Sequence, residues 1–592
     1  MEKTERNLAI DAIKGLAIMA VALYHFGGGI LPYGYLGVDI FFVVGGYLFI
    51  ASLKKKLEEG KFNYWHFCFR KIIRLWPLVI LASIVSVGLG FFLMLPDDYE
   101  NLAESAIASS VFSNHILQCI TTKNYWDVVN LYKPLMHLWY VGVLMHAYIV
   151  IPLVFIALIK LTKSRTKGIT IGIVGLTLVS LALFLMPQFS TAWKFYYLPF
   201  RTFEITTGGL LTIWKPSVTK QIKKIGSVTL SLLLTLLLCA RVEMISGSFM
   251  LICTVVGTAL FIATTEKQET KGFTEKILLA GAAIGKRSYS IYIWHQVIVA
   301  FLFYSFFSER NIVTLLVFFL LTVVLSLLSY QFVEVPLGRT IGEKEKEFAV
   351  MIITIITSIC LCGASLLIYC RAGVVRDVPE LDIYKNNIHR GMHAEYCDRP
   401  YAWAQDFNDD DRLKVLVLGN SFGRDWANIL YEWDTKKQLD ISYLYYTDES
   451  IRKYTKRIDG ADIVFYADGP NFNGVPSLVT EEVAQEKLYV VGNKNYGESN
   501  GIIYARRMTD NYFYQTAAVS TELLEENRKM SEQFGEHYIS MMSPVMTDGK
   551  RVRIFTDDKK FISQDCRHLT KAGAQYYARM LPVASLLKCM EQ

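Results

Sequence analysis

The chain has 592 residues, of which 52% are hydrophobic and 13% aromatic, and its mean hydropathy is +0.30. That average is too apolar for an ordinary soluble enzyme of this length. The formal net charge at pH 7 is +7, and no nucleic-acid partner is predicted. Apolar runs long enough to cross a bilayer recur up to Tyr369, whereas the chain after Arg371 is mixed and charged. The sequence therefore predicts two bodies, one in lipid and one in water.

The first body is predicted to contain about eleven membrane-spanning helices. They begin near Ala9, Gly37, Ile72, Met136, Gly168, Tyr197, Val228, Ser248, Ser290, Val313 and Ala349. The segment from Asn101 to Leu117 is only moderately apolar, and we interpret it as an external loop or a re-entrant piece.

Charge placement predicts the orientation, because Lys and Arg in short loops mark the cytoplasmic side. If the N-terminus is cytoplasmic, all the basic loops fall on the cytoplasmic side, at residues 54–71, 163–167, 215–224, 267–276 and 339–346. An odd number of spans then places the C-terminal domain outside the cytoplasm. We expect a multi-pass protein of the plasma (inner) membrane. Its predicted parts are a membrane domain (1–345), a linking transmembrane helix (346–371), a linker (372–410) and an outside domain (411–592).

Polar residues inside membrane segments are costly, so each one carries information. Asp11 and Lys14 lie one turn apart at the start of the first span, where an interfacial ion pair is a simpler interpretation than a catalytic role. His25 ends that span, and Asp39 enters the next one. Further polar positions lie on other predicted helices and together predict a shared internal cavity: His137, Trp139, Arg201, Glu204, Ser288, Tyr289, Tyr292, His295 and Glu334.

A basic cluster at the mouth of the third span contains Arg70, Lys71 and Arg74 and is closed by Pro77. One interpretation is a positive-inside anchor. The other is a clamp for the phosphates of a cytoplasmic donor, because Arg offers forked hydrogen bonds and Lys a point charge.

Several ordered fragments resemble the membrane acyltransferase family 3, and the resemblance covers roughly Arg6 to Arg339. The opening fragments are Asp11-Ala12-Ile13-Lys14-Gly15-Leu16-Ala17 ending at His25, Gly37-Val38-Asp39-Ile40-Phe41-Phe42 and Arg74-Leu75-Trp76-Pro77. The later fragments are His137-Leu138-Trp139, Arg201-Thr202-Phe203-Glu204, Ser288 to His295, and Ser329-Tyr330 through Glu334-Val335-Pro336.

The resemblance implies transfer of an acyl group, most often acetyl from acetyl-CoA, to a cell-surface carbohydrate. It implies that His25 matches the essential histidine of the family and that Lys71 and Arg74 match its Arg-x-x-Arg motif. No metal is implied. This chain departs from the family pattern at Lys14 and Lys71 (usually Arg), Gly45 (often Ser) and Leu144 (often Glu).

The outside domain begins with a buried-strand pattern from Leu413 to Leu418, followed by Gly419-Asn420-Ser421 and a helical pattern from Trp426 to Trp433. A serine at a strand-to-helix turn exposes its hydroxyl at the carboxyl edge of a parallel sheet, near helix amides that can hold an oxyanion. Further strands are predicted at 441–446, 463–466 and 488–491. The alternation predicts a three-layer α/β domain.

Asp565 and His568 lie three residues apart on one later segment and supply the acid and base that an activated serine needs. The alternative is that Asp565 caps a turn and His568 is a surface residue. With Ser421, these blocks resemble the SGNH hydrolase and acetyltransferase domains that are often fused to acyltransferase family 3 regions. The chain departs from that pattern, because its first block is Gly-Asn-Ser rather than Gly-Asp-Ser and no glycine block or Gly-x-Asn-Asp block is found. The best placed candidates for the remaining oxyanion donors are Gly469, Asn471 and Asn473 after the strand at 463–466, followed by Gly492 and Asn493.

Three cysteines fall in the outside domain: Cys397, Cys566 and Cys589. A disulfide can persist outside the cytoplasm. One hypothesis is that Cys397 pairs with Cys566 and pins the loop that carries Asp565 and His568. The odd number of cysteines leaves the partner open.

The predicted protein is thus a polytopic α-helical membrane domain followed by an extracytoplasmic three-layer α/β, SGNH-like domain. The expected activity is O-acetyl transfer to a surface glycan such as O-antigen, capsule, a wall polymer or peptidoglycan. Two alternatives from other classes are a transporter, which would not need the serine, acid and histidine, and a membrane-anchored esterase, which would not need His25 or Arg74. A scaffold would have no use for the serine set.

Overall fold

The computed structural model describes residues 7–27, 31–121, 131–214, 246–264, 273–305, 311–386, 392–469 and 474–583, with a few more between 231 and 238. The chain divides into two compact units. The first unit comprises Met1–Phe92 and Tyr99–Tyr369, and the second comprises Leu93–Asp98 and Cys370–Gln592.

The described part of the first unit is built from helices. They are α1 (Leu8–Phe26), α2 (Gly37–Glu58), α3 (Tyr64–Leu93), α4 (Pro96–Ser110), α5 (Asn114–Thr121), α6 (Trp139–Thr162), α7 (Arg165–Leu185), α8 (Thr191–Tyr196), α9 (Leu198–Leu210), α10 (Gly247–Thr264), α11 (Phe273–Gly285), α12 (Ser288–Ser305), α13 (Ile312–Ser329), α14 (Val335–Thr340) and α15 (Lys344–Cys370). A π-helical turn, Tyr330–Glu334, joins α13 to α14.

Eight helical stretches among the described residues are long and apolar enough to cross a membrane. They are Leu8–Phe26, Gly34–Glu58, Tyr64–Leu93, Met136–Thr162, Arg165–Leu185, Gly247–Thr264, Ile312–Thr340 and Lys344–Cys370. These helices confirm the predicted polytopic membrane domain.

The number of such helices differs from the predicted eleven, and three segments account for the difference. The span expected near Tyr197 is the 13-residue helix α9, which buries the charged residues Arg201 and Glu204. The span expected near Ser290 is the 18-residue helix α12, which carries the buried polar residues His295 and Gln296. Most of the span expected near Val228 lies outside the described residues.

The segment from Asn101 to Leu117, interpreted as an external loop or a re-entrant piece, forms two short helices. This corrects the loop interpretation and leaves the re-entrant one a prediction. Helix α4 has 15 residues and α5 has eight. The first of these helices packs through small apolar residues, since Ala103 and Ala106 are fully buried. The segment is only moderately apolar because α4 begins with acidic residues and α5 buries Asn114 and His115.

Helices α2 and α9 pack with their backbones in direct contact, because each contributes a glycine to the interface. A Cβ at Gly46 of α2 would overlap the backbone of Ile205, and a Cβ at Gly208 of α9 would overlap the backbone carbonyl of Val43. Small residues permit such close approach between helices in a membrane protein, where dispersion contacts drive association. These glycines therefore set the separation of α2 from α9.

We expect Gly208→Leu to disrupt this helix pair and to lower the thermal stability of the detergent-solubilised protein and its yield in membranes. The matched control is Gly45→Leu, because a Cβ at Gly45 meets no atom within 4 Å. Thermal melting followed by size-exclusion chromatography checks both variants. Equal melting temperatures for the two variants would contradict the close-packing argument.

The second unit contains a parallel sheet in the order β2-β1-β3-β4-β6 and a small antiparallel pair, β5 and β7. The strands are β1 (Leu413–Gly419), β2 (Leu439–Tyr445), β3 (Ile463–Ala467), β4 (Leu488–Val491), β5 (Thr516–Ala518), β6 (Tyr538–Ile539) and β7 (Arg551–Arg553). The helices are α16 (Met392–Asp398), α17 (Ser421–Trp433), α18 (Asp448–Lys453), α19 (Thr455–Asp459), α20 (Ser477–Glu482), α21 (Asn500–Ala505), α22 (Thr521–Phe534) and α23 (Lys571–Met580).

Both faces of this sheet are covered, because side chains alternate along each buried strand. Val415 and Val417 of β1 belong to a core that includes residues of α17 and α23. Leu416 and Leu418 belong to a second core with residues of α18, α19 and α20. The second unit is thus an α/β domain with a parallel sheet between two layers of helices, as the alternation of strands and helices predicts.

The segment 372–410, predicted as a linker, takes part in the second unit. Val374, Val378 and Ile383 are buried in the same core as Val415 and Val417. A segment that buries apolar side chains is held in place by the hydrophobic effect. Part of the predicted linker is therefore an ordered component of the domain.

Candidate active site

Ser421 lies at the turn between β1 and α17, where it is the first residue of the helix. Its predecessor Asn420 caps α17, because its side-chain oxygen accepts a hydrogen bond from the Phe422 amide at 2.9 Å. The hydroxyl of Tyr443 donates to the carbonyls of Gly419 and Asn420, both at 3.0 Å. The turn is thus held from the neighbouring strand β2, and it presents Ser421 at the carboxyl edge of the sheet.

The structure brings the predicted serine, histidine and aspartate into one hydrogen-bonded chain. His568 Nε2 lies 2.8 Å from Ser421 Oγ, and His568 Nδ1 lies 2.6 Å from Asp565 Oδ2. Asp565 Oδ1 accepts the backbone amides of Arg567 at 3.0 Å and His568 at 2.7 Å. This is the arrangement in which a histidine takes the proton of a serine while an aspartate fixes the tautomer of the histidine.

The pKa of the Asp565 carboxyl lies below its usual value. Partial burial opposes this shift, but the hydrogen bonds and charge of His568 and the amide of Arg567 outweigh it. Asp565 is consequently ionised at neutral pH, as an acceptor for the imidazole N–H requires.

The loop that carries Asp565 and His568 is closed by its own hydrogen bonds. The carbonyl of His568 accepts the amide of Gln564 at 2.9 Å and the hydroxyl of Ser563 at 2.7 Å. Between them, Cys566 adopts a left-handed backbone conformation with φ of 70°. Such a tight loop fixes the spacing of the acid and the base before any substrate arrives.

Gly469, one of the predicted oxyanion donors, lies beside the serine turn. The side-chain amide of Asn420 donates to the Gly469 carbonyl, and the Gly469 amide donates to Asn420 Oδ1 at 3.4 Å. A Cβ at Gly469 would overlap Asn493 Oδ1 and the Phe422 ring, so only glycine fits there. Asn471 and Asn473 lie outside the described residues. Asn493, a further oxyanion candidate from the sequence, lies against Gly469.

In the first unit, the structure brings the half-buried His25 together with two buried histidines, His137 and His295. The rings of His25 and His295 have centroids 5.2 Å apart, and those of His295 and His137 are 5.4 Å apart. His295 Nδ1 lies 2.7 Å from the Tyr292 carbonyl, so this nitrogen carries the proton and Nε2 is left as an acceptor. Three helical segments meet at this cluster.

His137 is the member that the sequence analysis did not select as a site residue. It was noted only as one polar position among many, in the fragment His137-Leu138-Trp139. The signal that could have found it is that it is a histidine within an apolar segment, as His25 and His295 are.

Three other predicted cavity residues form a buried ionic network. Arg201 Nη1 lies 2.7 Å from Asp39 and 2.6 Å from Glu204, and Arg201 Nε donates to the Phe195 carbonyl at 2.9 Å. All three charged side chains are at most 3% exposed. They link α2 to α9 by ionic hydrogen bonds, so the structure gives them a structural role between helices. Asp11 and Lys14 form a separate ion pair at 3.3 Å, the simpler of the two interpretations.

The predicted phosphate clamp is not assembled as three free cations. Arg70 pairs with the buried Glu347 of α15 at 3.1 Å. The ammonium of Lys71 lies over the rings of Tyr148, Phe67 and Phe49 at 4.7, 5.5 and 5.7 Å. Arg74 is the exposed member of the cluster. Arg70 and Lys71 are adjacent in α3 and point in different directions, which explains why they have different partners, whereas Arg74 lies about one turn further along the helix.

A cavity of about 480 Å³ lies at the end of α2, where the sequence analysis placed no site. Its lining includes Lys54 and Lys55, and Lys54 also donates to the Thr212 carbonyl at 2.7 Å. Both lysines belong to a loop region predicted as cytoplasmic. In the sequence, their charge indicates only the orientation of the chain in the membrane.

The structure corrects the hypothesis of a Cys397–Cys566 disulfide, because both residues are buried free thiols. Cys397 Sγ lies 3.7 Å from the Leu569 carbonyl and 3.8 Å from Gln564, whereas Cys566 Sγ faces Asn500 at 3.4 Å. Burial, with the nearby charges of Asp425 and Asp565, raises the pKa of Cys397 to about 12. Burial also raises the pKa of Cys566. Cys589 lies outside the described residues.

Comparisons with known proteins give the following similarities. The model of the acyltransferase family 3, described as an acyltransferase domain, matches residues 7–331. The chain is 29% identical over 351 residues to the peptidoglycan O-acetyltransferase OatA of Listeria monocytogenes and 27% identical over 374 residues to the O-acetyltransferase OatA of Staphylococcus aureus. These alignments cover 56% and 59% of this chain. The chain spans only 56% and 61% of the length of these relatives. No solved structure matches the chain.

We expect Asp565→Asn to slow modification of Ser421 by a fluorophosphonate probe about 10³- to 10⁴-fold, because the amide no longer holds His568 in the required tautomer. The control is Asp558→Asn, since Asp558 is 71% exposed and pairs only with Arg579 on the surface. Labelling rates of the full chain in detergent, located by peptide mapping, check this. An unchanged rate in Asp565→Asn would show that His568 does not depend on the carboxylate.

We expect neither Cys397 nor Cys566 to react with iodoacetamide in the native protein at pH 8, because a raised pKa keeps each buried thiol protonated below its pKa. Cys370, which is exposed, serves as the reactive control. After denaturation without reductant, both buried thiols should become alkylated. Mass spectrometry that instead finds a linked peptide pair would restore the disulfide hypothesis.

Proposed function

Because the chain belongs to the acyltransferase family 3, we propose that it is a membrane O-acyltransferase that moves acetyl from cytoplasmic acetyl-CoA to hydroxyls of a cell-surface glycan. The observation that carries the proposal is the Ser421–His568–Asp565 chain in the second unit, which supplies a nucleophile for the acetyl group. The names of the OatA relatives favour peptidoglycan among the possible acceptors.

The proposal places the N-terminus in the cytoplasm and the second unit outside, as the basic loops predict. The donor then approaches the first unit from the side of Arg74 and of the cavity that Lys54 and Lys55 line. Phosphate groups of the donor would bind Arg74, which offers forked donors, and the two lysines, which offer point charges in a lining that also contains Glu58 and Glu59. Arg70, which pairs with Glu347, and Lys71, which lies over aromatic rings, would hold α3 in place beside this entrance.

His25 would assist acetyl transfer in the membrane as a general base or as a transient acyl carrier. The neighbouring His295 supports this, because its ring lies 5.2 Å from the His25 ring and its buried Nε2 offers a second position for a proton. Arg201, Asp39 and Glu204 would hold α2 and α9 in place around this chemistry without taking part in it.

In the second stage, Ser421 Oγ would attack the acetyl carbonyl while His568 Nε2 takes the serine proton and Asp565 stabilises the imidazolium. The bond from the acetyl carbon to its carrier breaks, and the carrier leaves with the proton from His568. A sugar hydroxyl then attacks the acetyl-serine ester, His568 takes its proton, and Ser421 is regenerated with that proton. Backbone amides at the start of α17 would stabilise the oxyanion, and the Gly469 amide would join them if it exchanged its 3.4 Å bond to Asn420 Oδ1 for the oxyanion.

The test uses inverted membrane vesicles supplied with labelled acetyl-CoA on the exposed cytoplasmic face. We expect wild-type protein to carry label on Ser421, and His25→Ala and Ser421→Ala to carry none at this position. The control Ser543→Ala should label like wild type, because Ser543 is an exposed serine whose hydroxyl bonds only Ser540.

Other outcomes would select other functions. Glycan acetylation that continues in Ser421→Ala would indicate direct transfer from the membrane site. Release of acetyl from an acetylated glycan without any need for acetyl-CoA would indicate a membrane-anchored esterase. Movement of an acyl or glycan substrate across the vesicle membrane without covalent transfer would indicate a transporter.

A further inference from the structure

A fully buried lysine lies behind the serine turn, and the mechanism above does not use it. Lys494 follows β4 and is 3% exposed, and its ammonium lies 2.8 Å from Asp425 Oδ2, with Asp425 1% exposed. Lysine is almost never fully buried unless it is paired. Burying two charges costs free energy of solvation that a hydrophobic pair would not cost. Stability alone therefore does not explain why Lys494 and Asp425 are buried here as a charged pair.

The first clue is what Asp425 does besides pairing with Lys494. Asp425 lies on α17 one turn after Ser421, and its Oδ2 accepts the backbone amide of Leu569 at 3.2 Å. Leu569 directly follows His568. A single carboxylate thus connects the helix that carries the nucleophile to the segment that carries the base.

The second clue is the aromatic ring that the same ammonium covers. Lys494 Nζ lies 3.9 Å from the centroid of the Phe422 ring, a distance typical of a cation–π contact. Phe422 follows Ser421, and its ring meets the imidazole of His568 edge to face at 5.9 Å. The ring therefore supports His568 from the side of the nucleophile.

We propose that Lys494 is a positioning residue that holds Ser421 and His568 in register through Asp425 and Phe422. The ammonium fixes the carboxylate that binds the Leu569 amide and the ring that borders the imidazole. Both links act on the distance between Ser421 Oγ and His568 Nε2. The inference rests on the proposed nucleophilic role of Ser421, and it adds a residue from the segment after β4 to a site built otherwise from α17 and the Asp565 loop.

The experiment measures the rate of fluorophosphonate labelling at Ser421 and the melting temperature of the full chain in detergent. Lys494→Met leaves Asp425 buried without its countercharge, and we expect both a lower melting temperature and a labelling rate at least 10-fold lower. The double variant Lys494→Met/Asp425→Asn removes the unpaired charge but keeps an oxygen for the Leu569 amide. We expect its melting temperature to return towards wild type while labelling stays at least 10-fold slow.

The control is Lys487→Met, which removes a partly buried lysine just before β4 whose ammonium bonds the Ala461 carbonyl. It should label at the wild-type rate. Recovery of both stability and labelling in the double variant would overturn the inference and leave the pair a structural one. A wild-type rate in Lys494→Met would overturn it as well. A wild-type protein that does not label at Ser421 would overturn both this inference and the proposed function, a result distinct from the other two.

Discussion

A charge in a low-dielectric interior needs its countercharge within contact distance, and this requirement organises both units of the chain. In the first unit, Arg201 lies between Asp39 and Glu204, so that α2 and α9 are joined by ionic hydrogen bonds as well as by glycine contacts. In the second unit, Lys494 and Asp425 meet the same requirement beneath the serine turn. Each network fixes the distance between two segments of the chain.

The parallel sheet explains why the serine, histidine and aspartate can meet although 144 residues separate Ser421 from Asp565 in the chain. The carboxyl ends of parallel strands share one edge, and Ser421 follows β1 at that edge. Tyr443 of β2 and Gly469 after β3 reach the same turn from the two strands that flank β1. The core of α17 and α23 then places the Asp565 loop, which directly precedes α23, above the serine.

The two bodies and the helical membrane domain could be predicted from the sequence because they follow from the local distribution of apolar residues. The serine set could be predicted because serine, aspartate and histidine together are typical of nucleophilic catalysis. The sequence could not predict the role of a residue when that role depends on a partner far away in the chain. Arg70 looked like a free cation because Glu347 is 277 residues away, and His137 looked ordinary because its neighbours lie on other helices. The disulfide hypothesis failed for the same reason, since spacing along the chain does not say which way two thiols face.

Because Cys397 and Cys566 are free thiols, no cross-link between them contributes to the stability of the second unit. A cross-link between these positions would close a loop of 169 residues and, in the chain-entropy view, would remove about 5 kcal/mol of conformational freedom from the unfolded chain. Without it, the two hydrophobic cores on either side of the sheet supply the cohesion of the domain. Folding then requires no oxidant at these two positions, and reducing agents leave this part of the domain unchanged.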